Sequence, residues 1–166
     1  MDNERLRPPP LTQLGKYRGQ GFSALYTTTV TVSGGEAAHG HASGIARSDD
    51  SNLILDLRLP AALGGSGGGT NPEQLFAAGY AACFHGALRL VAKRSPVDMT
   101  NAMVAVEVSF GRDPIDGGYA LFAELHIRMP GVERHVAEAL VRDTERLCPY
   151  AKMAREGMHS VVSVVD

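Results

Sequence analysis

Asn71-Pro72-Glu73-Gln74-Leu75-Phe76-Ala77-Ala78-Gly79-Tyr80-Ala81-Ala82-Cys83-Phe84-His85-Gly86-Ala87-Leu88, running on as Arg89-Leu90-Val91-Ala92-Lys93-Arg94, is the stretch whose reading decides the fold. Asn71 supplies an N-cap oxygen, Pro72 suits the first helical position, and Gln74 is placed to close a capping box. Apolar residues then lie on every side for about three turns, and Arg89, Lys93 and Arg94 gather at the C-terminal end, where the helix dipole favours cations. At about 1.5 Å per residue the run spans roughly 35 Å. Glu73, His85 and Arg89 interrupt its apolar surface well short of the about 20 residues a membrane span needs. The stretch therefore predicts one long core helix with a cysteine in its middle.

The rest of the composition agrees with a globular chain. Its 166 residues are the usual size of one domain, and a net charge of -2 with a pI near 6.3 offers no electrostatic reason to bind nucleic acid or an anionic membrane. Met1-Asp2-Asn3-Glu4-Arg5 lacks the basic-then-apolar pattern of a secretory signal, so a cytoplasmic location is expected. In a reducing compartment two cysteines are either small hydrophobes or a redox pair.

Outward from the helix the pattern alternates between strand and turn chemistry. Residues 1–21, with Pro8-Pro9-Pro10, predict a flexible arm, and residues 22–166 a single domain. Tyr26 to Val32 reads as a strand ended by Ser33-Gly34-Gly35, and the loop from Glu36 to about Gly44 holds His39 and His41 without other ligands nearby. Leu53, Leu55, Leu57 and Leu59 alternate with Ile54, Asp56 and Arg58, the period of a half-buried strand closed by Pro60. The glycines from Gly64 to Gly69 lack the Lys-Ser/Thr pair of a phosphate-binding loop and read as a flexible lead-in to the helix.

Beyond the helix, Val104 to Phe110 and Tyr119 to Ile127 flank the turn residues 112–118, which predicts an antiparallel hairpin with His126 on its polar face. Residues 133–147 carry Val136, Leu140 and Leu147 on one stripe, with Glu138 and Arg142 spaced i,i+4 outside, and end near Cys148-Pro149. Val161 to Val165 closes the chain as a short strand. This order of elements is α+β.

The two cysteine neighbourhoods carry a family resemblance. Thr70 to Phe84 together with Cys148-Pro149-Tyr150, supported by Leu25-Tyr26-Thr27, Gly34-Gly35 and the run from Leu59 to Gly65, resembles the organic hydroperoxide resistance branch of the OsmC/Ohr superfamily of thiol peroxidases. The resemblance covers roughly residues 24–166. It implies antiparallel sheets wrapped around a long central helix in an intertwined homodimer. It also implies an antioxidant activity, reduction of organic hydroperoxides by a peroxidatic cysteine at Cys83. A disulfide with Cys148 would follow, and a lipoyl or other dithiol donor would reduce it, with no cofactor or metal.

Such chemistry sets a physical requirement. A thiol of pKa ~8.5 is only about 3% ionised at pH 7, and lowering that by two units takes about 2.7 kcal/mol of thiolate stabilisation, within reach of one desolvated guanidinium. The helix N-terminus, about 16 Å from Cys83 along the axis, cannot supply it. In the family an arginine after the Gly-Gly pair does so, oriented by the carboxylate at the position of Glu73; here that arginine position holds Glu36. Arg47, His41 and Arg18 are the candidates to replace it, the first two ranked higher because they lie in the segment returning from the loop. Without such a cation the chain would be a small-molecule-binding or structural dimer of the same family.

Phe76, Tyr80 and Phe84 beside Cys83 would wall an alkyl-binding pocket. His85, about 200° around the helix from Cys83, faces away, which disfavours both a base role and a zinc site with the two cysteines. Glu73 and Cys83, ten residues apart in one helix, are about 15 Å apart along the axis. A role for Glu73 beside the thiol therefore requires a second chain.

Overall fold

The computed structural model describes residues 15, 17–35 and 43–165. Most of the expected N-terminal arm, and Glu36, His39 and His41, lie outside the described residues. In chain order the elements are β1 (Val30–Ser33), β2 (Gly44–Ser48), β3 (Ile54–Leu57), α1 (Pro72–Ala92), β4 (Met103–Arg112), β5 (Tyr119–Arg128), α2 (Arg134–Leu147) and α3 (Pro149–Glu156). The chain clusters into two compact units, one of Gly79–Glu107 with the chain from Glu124 onward, the other of Tyr17–Ala78 with Val108–Ala123.

In the second unit β1, β2 and β3 form an antiparallel sheet in that order, with Val32 opposite Ala46 and Ala46 opposite Leu55. Strand β2 begins where the loop expected from Glu36 to about Gly44 ends and runs through residues to which the sequence pattern assigns no element, and β1 and β3 are shorter than expected. Its signal was the turn Ser48-Asp49-Asp50-Ser51-Asn52: the Ser48 hydroxyl donates to Asp50 Oδ1 at 2.6 Å and accepts from the Leu53 N–H at 3.0 Å, tying both strand ends together. The glycine segment before the helix is not a loose lead-in. Gly65 N–H donates to Pro60 O at 3.1 Å, Gly67 N–H to Leu59 O at 3.1 Å and Thr70 N–H to Asp56 O at 2.9 Å, so the loop folds back on β3 and delivers Asn71 to the helix start. A Cβ on Gly65 would collide with the Leu59 carbonyl, which explains a glycine there.

Helix α1 begins as its capping residues dictate. Gln74 N–H donates to Asn71 Oδ1 at 2.9 Å, and Asn71 N–H donates to Gln74 Oε1 at 3.2 Å. Only one stripe of the helix is buried within the chain, Tyr80, Phe84, Leu88, Val91 and Ala92; Ala78, Ala82, Gly86 and Leu90, spaced four apart, are exposed. Burial on every side, as the composition predicts, is thus not achieved by one chain.

The core of the first unit centres on Leu88, Val91, Ala92 and Leu140, packed against Val104 and Ile127 of the hairpin and Val136 and Leu147 of α2. Full burial of a leucine or valine such as Leu88, Val91 or Leu140 contributes roughly 1.5–3 kcal/mol. Strands β4 and β5 form the expected hairpin, closed by Asp113 N–H donating to Gly118 O at 3.0 Å, with His126 exposed. Helix α2 has the expected bounds, but Glu138 pairs with Arg134 at 2.6 Å instead of with Arg142. The expected strand at Val161–Val165 is absent. Those valines are β-branched, yet no strand lies beside them in the described chain, and Val162 and Val164 are 94% and 99% exposed.

Candidate active site: a cysteine pair between two helices

Cys83 sits three turns into α1, one position before the buried Phe84 and one helical turn after Gly79. Cys148 is at once the C-cap of α2 and the N-cap of α3. Two local features place it there. Its N–H donates to Thr144 O at 2.8 Å, ending α2, and Pro149 occupies the first position of α3, where its ring is preorganised for a helix start. Pro149, expected only to end a helix, also starts one, and α3 is an element the sequence pattern does not predict. Thr144, wholly buried, satisfies its hydroxyl by donating to Leu140 O at 2.7 Å. Arg155 of α3 donates to Glu145 O at 2.8 Å and ties the new helix back to α2.

These constraints bring the two sulfurs together. Cys148 Sγ lies 3.5 Å from Cys83 Sγ and donates its S–H to it; both are free thiols, Cys148 buried and Cys83 half-buried. Burial pushes the Cys148 thiol up to about 11. The backbone N–H groups of Ala151 and Tyr150 oppose the shift without closing a capping bond, and the Cys83 sulfur adds to it. Cys148 is therefore protonated at neutral pH. Because a disulfide bond is about 2.05 Å long, about 1.5 Å of approach joins the two sulfurs.

Tyr80 and Tyr150 border the pair, ring centroids 5.8 Å apart and tilted by 34°. Burial first, then the Cys148 thiolate that forms only at alkaline pH and the Glu145 carboxylate, raise the Tyr80 phenol above its ordinary value, and Arg155 partly offsets them. Tyr80 is thus neutral here, and Arg155, passed over in the sequence, is a cation felt in this neighbourhood. Gly79 and Tyr150 stand in the sequence only as parts of the family motif, without a role at the site, and Arg155 does not stand out at all. A glycine inside a helix costs about 0.5–1 kcal/mol relative to alanine, and that is the signal by which Gly79 was open to notice.

The other expected site residues are placed as follows. Tyr80 and Phe84 are buried at 6% and 1% exposure, and Phe76 is half-buried in α1. Glu73 stands half-buried in the first turn of α1. Arg47 lies exposed on β2, opposite Thr31 and Ile54 in the sheet register. Among the described residues one group has metal-ligand spacing, Glu107, Glu124 and His126, whose ligand atoms lie within 4.8 Å of one another on the exposed hairpin and which includes neither cysteine.

A buried protonated thiol held against a second, more accessible thiol is a site that a single two-electron oxidation closes into a disulfide. The OsmC-like protein family model matches residues 65–162, which hold the whole of this arrangement, and the chain belongs to that OsmC/Ohr family. Its relatives include the organic hydroperoxide resistance protein of Xanthomonas axonopodis pv. citri, 42% identical over 132 residues that cover 79% of this chain and 88% of that protein. The organic hydroperoxide resistance protein OhrB of Bacillus subtilis is 41% identical, over 80% of this chain and 92% of its own length. A crystal structure of an organic hydroperoxide resistance protein from Legionella pneumophila superposes with a TM-score of 0.71 at 41% identity, covering 81% of this chain and 93% of that one. The α+β architecture, antiparallel sheets with a long helix, is thereby that of the family.

Proposed function

We propose that this protein is a cysteine-based peroxidase that reduces organic hydroperoxides, and the observation that carries the proposal is the 3.5 Å separation of Cys83 and Cys148. Cys83, the more exposed sulfur, attacks the hydroperoxide oxygen, the O–O bond breaks, and the alcohol leaves, giving a sulfenic acid on Cys83. The Cys148 thiol then attacks that sulfur, expelling water and forming the Cys83–Cys148 disulfide before further oxidation. A dithiol donor of the lipoyl type restores both thiols and leaves as its own cyclic disulfide.

The names and similarity of the relatives support the hydroperoxide as substrate. Phe76, Tyr80 and Phe84 flank the attacking sulfur and favour an alkyl group: about four methylenes at about 0.8 kcal/mol each give a preference over hydrogen peroxide of roughly 10²-fold in kcat/KM.

The activating cation is drawn from Arg47 and His41, with Arg18 behind them, and Glu73 orients it across a two-fold axis. The working form is accordingly an intertwined homodimer in the cytoplasm. The exposed Ala78, Ala82, Gly86 and Leu90 face of α1 supports a second copy, as do Phe22 and Leu25, 98% and 99% exposed, and the bare valine tail. The test is steady-state reduction of cumene hydroperoxide, tert-butyl hydroperoxide and hydrogen peroxide with dihydrolipoamide. Rapid turnover of the organic peroxides and slow turnover of hydrogen peroxide are expected. Two persistently free thiols after exposure to cumene hydroperoxide would refute the mechanism.

A further inference from the structure

Helix α1 contains a glycine beside the side chain of Tyr150, in the first turn of α3. A Cβ built on Gly79 would stand 2.8 Å from the Tyr150 hydroxyl oxygen and 3.3 Å from ring atoms Cε1 and Cζ of the same side chain, and those are the three nearest atoms. Gly86, two turns further along the same helix, meets nothing within 4 Å, so glycine in this helix does not by itself imply a close neighbour. Gly79 and Cys83 are four residues apart and lie on one face, one turn from each other, and Tyr150 follows Cys148 by two residues. The start of α3 therefore meets α1 at two points about 6 Å apart along the axis, the tyrosine at Gly79 and the sulfur at Cys83.

We propose that Gly79 and Tyr150 are positioning residues for the sulfur pair: the glycine is a notch in α1 that seats the Tyr150 side chain and so sets the reach of Cys148 to Cys83. The tyrosine has little freedom to yield. Its ring lies against the buried Tyr80, it stands in the first turn of a helix begun by Pro149, and Arg155 bonds that helix to the end of α2. A methyl group at Gly79 is consequently relieved by moving the start of α3, and Cys148 is the cap of that start. The sulfur separation then widens beyond 3.5 Å.

The inference rests on the dithiol reading, and its test needs no peroxide. Reduced protein is equilibrated with glutathione and glutathione disulfide, where protein dithiol and glutathione disulfide exchange for protein disulfide and two glutathione thiols. The measured ratio gives the effective concentration of Cys148 at Cys83. Gly79→Ala is expected to lower it at least 10-fold, and Gly79→Ala with Tyr150→Phe, which removes the closest atom, to recover most of that loss. Tyr150→Ala empties the seat from the other side and is expected to lower the value as well, which keeps the test decisive if Gly79→Ala does not fold. An unchanged value in Gly79→Ala, or a loss that Tyr150→Phe does not relieve, overturns the seat. A wild-type pair that glutathione disulfide does not oxidise overturns the dithiol reading beneath it.

Discussion

Replacing Cys148 by serine removes the second sulfur while keeping the cap position, the Thr144 bond to its N–H and the start of α3. The proposed cycle then halts at the Cys83 sulfenic acid, whose fate becomes a competition between external thiol and a second peroxide. In the wild-type protein the competitor is a thiol 3.5 Å away, at the edge of the near-attack range. Well-oriented intramolecular groups reach effective molarities of about 10⁵–10⁸ M; taking the bottom of that range and discounting about a thousandfold for the approach still needed leaves about 10² M, or about 10⁵ times an external thiol at about 1 mM. Cys148→Ser is therefore expected to convert from negligible to predominant sulfinic acid at Cys83 under a few equivalents of cumene hydroperoxide. Intact-mass and peptide mass spectrometry read this directly, with the first oxidation step, followed by stopped flow, unchanged in rate. If Cys148→Ser is no more over-oxidised than wild type, the sulfur contact is not the resolving step and the reasoning fails.

Three further outcomes are expected. The Cys148 thiol is raised from about 9 to about 11, so its protonated form favours the folded state. That contribution is complete below about pH 9 and is lost as pH rises to about 11, by at most about 2.7 kcal/mol; urea midpoints of reduced wild type should fall across that window, and those of Cys148→Ser should fall less. Leu140→Ala, at a site 5% exposed in the core cluster, should cost about 2–5 kcal/mol in chemical denaturation, and a loss under about 1 kcal/mol would contradict the packing described. Mixed Glu73→Ala and Cys83→Ser chains should regain about one working site per heterodimer if Glu73 serves the partner chain; a monomer in sedimentation velocity would end that proposal.

The helix at the centre of the chain was legible because its evidence is local. Asn71, Pro72 and Gln74 specify a start through bonds within four residues, and the hairpin from Met103 to Arg128 and the amphipathic stripe of α2 are equally local. The motif around Cys83, with Cys148-Pro149-Tyr150, was enough to point to the family. What sequence could not supply depends on neighbours distant along the chain. Val161 to Val165 has every intrinsic preference for a strand and forms none in the described chain, because a strand exists only beside another. Glu138 chose Arg134 over Arg142, a decision between two equivalent spacings that side-chain geometry alone makes. The 3.5 Å between sulfurs 65 residues apart needs more than the helix end and proline start written at Cys148: it needs that corner to meet α1, which nothing at either cysteine encodes. Periodicity and capping thus determined the elements, and tertiary packing alone decided which of their side chains meet, since contact between remote segments depends on how whole elements dock.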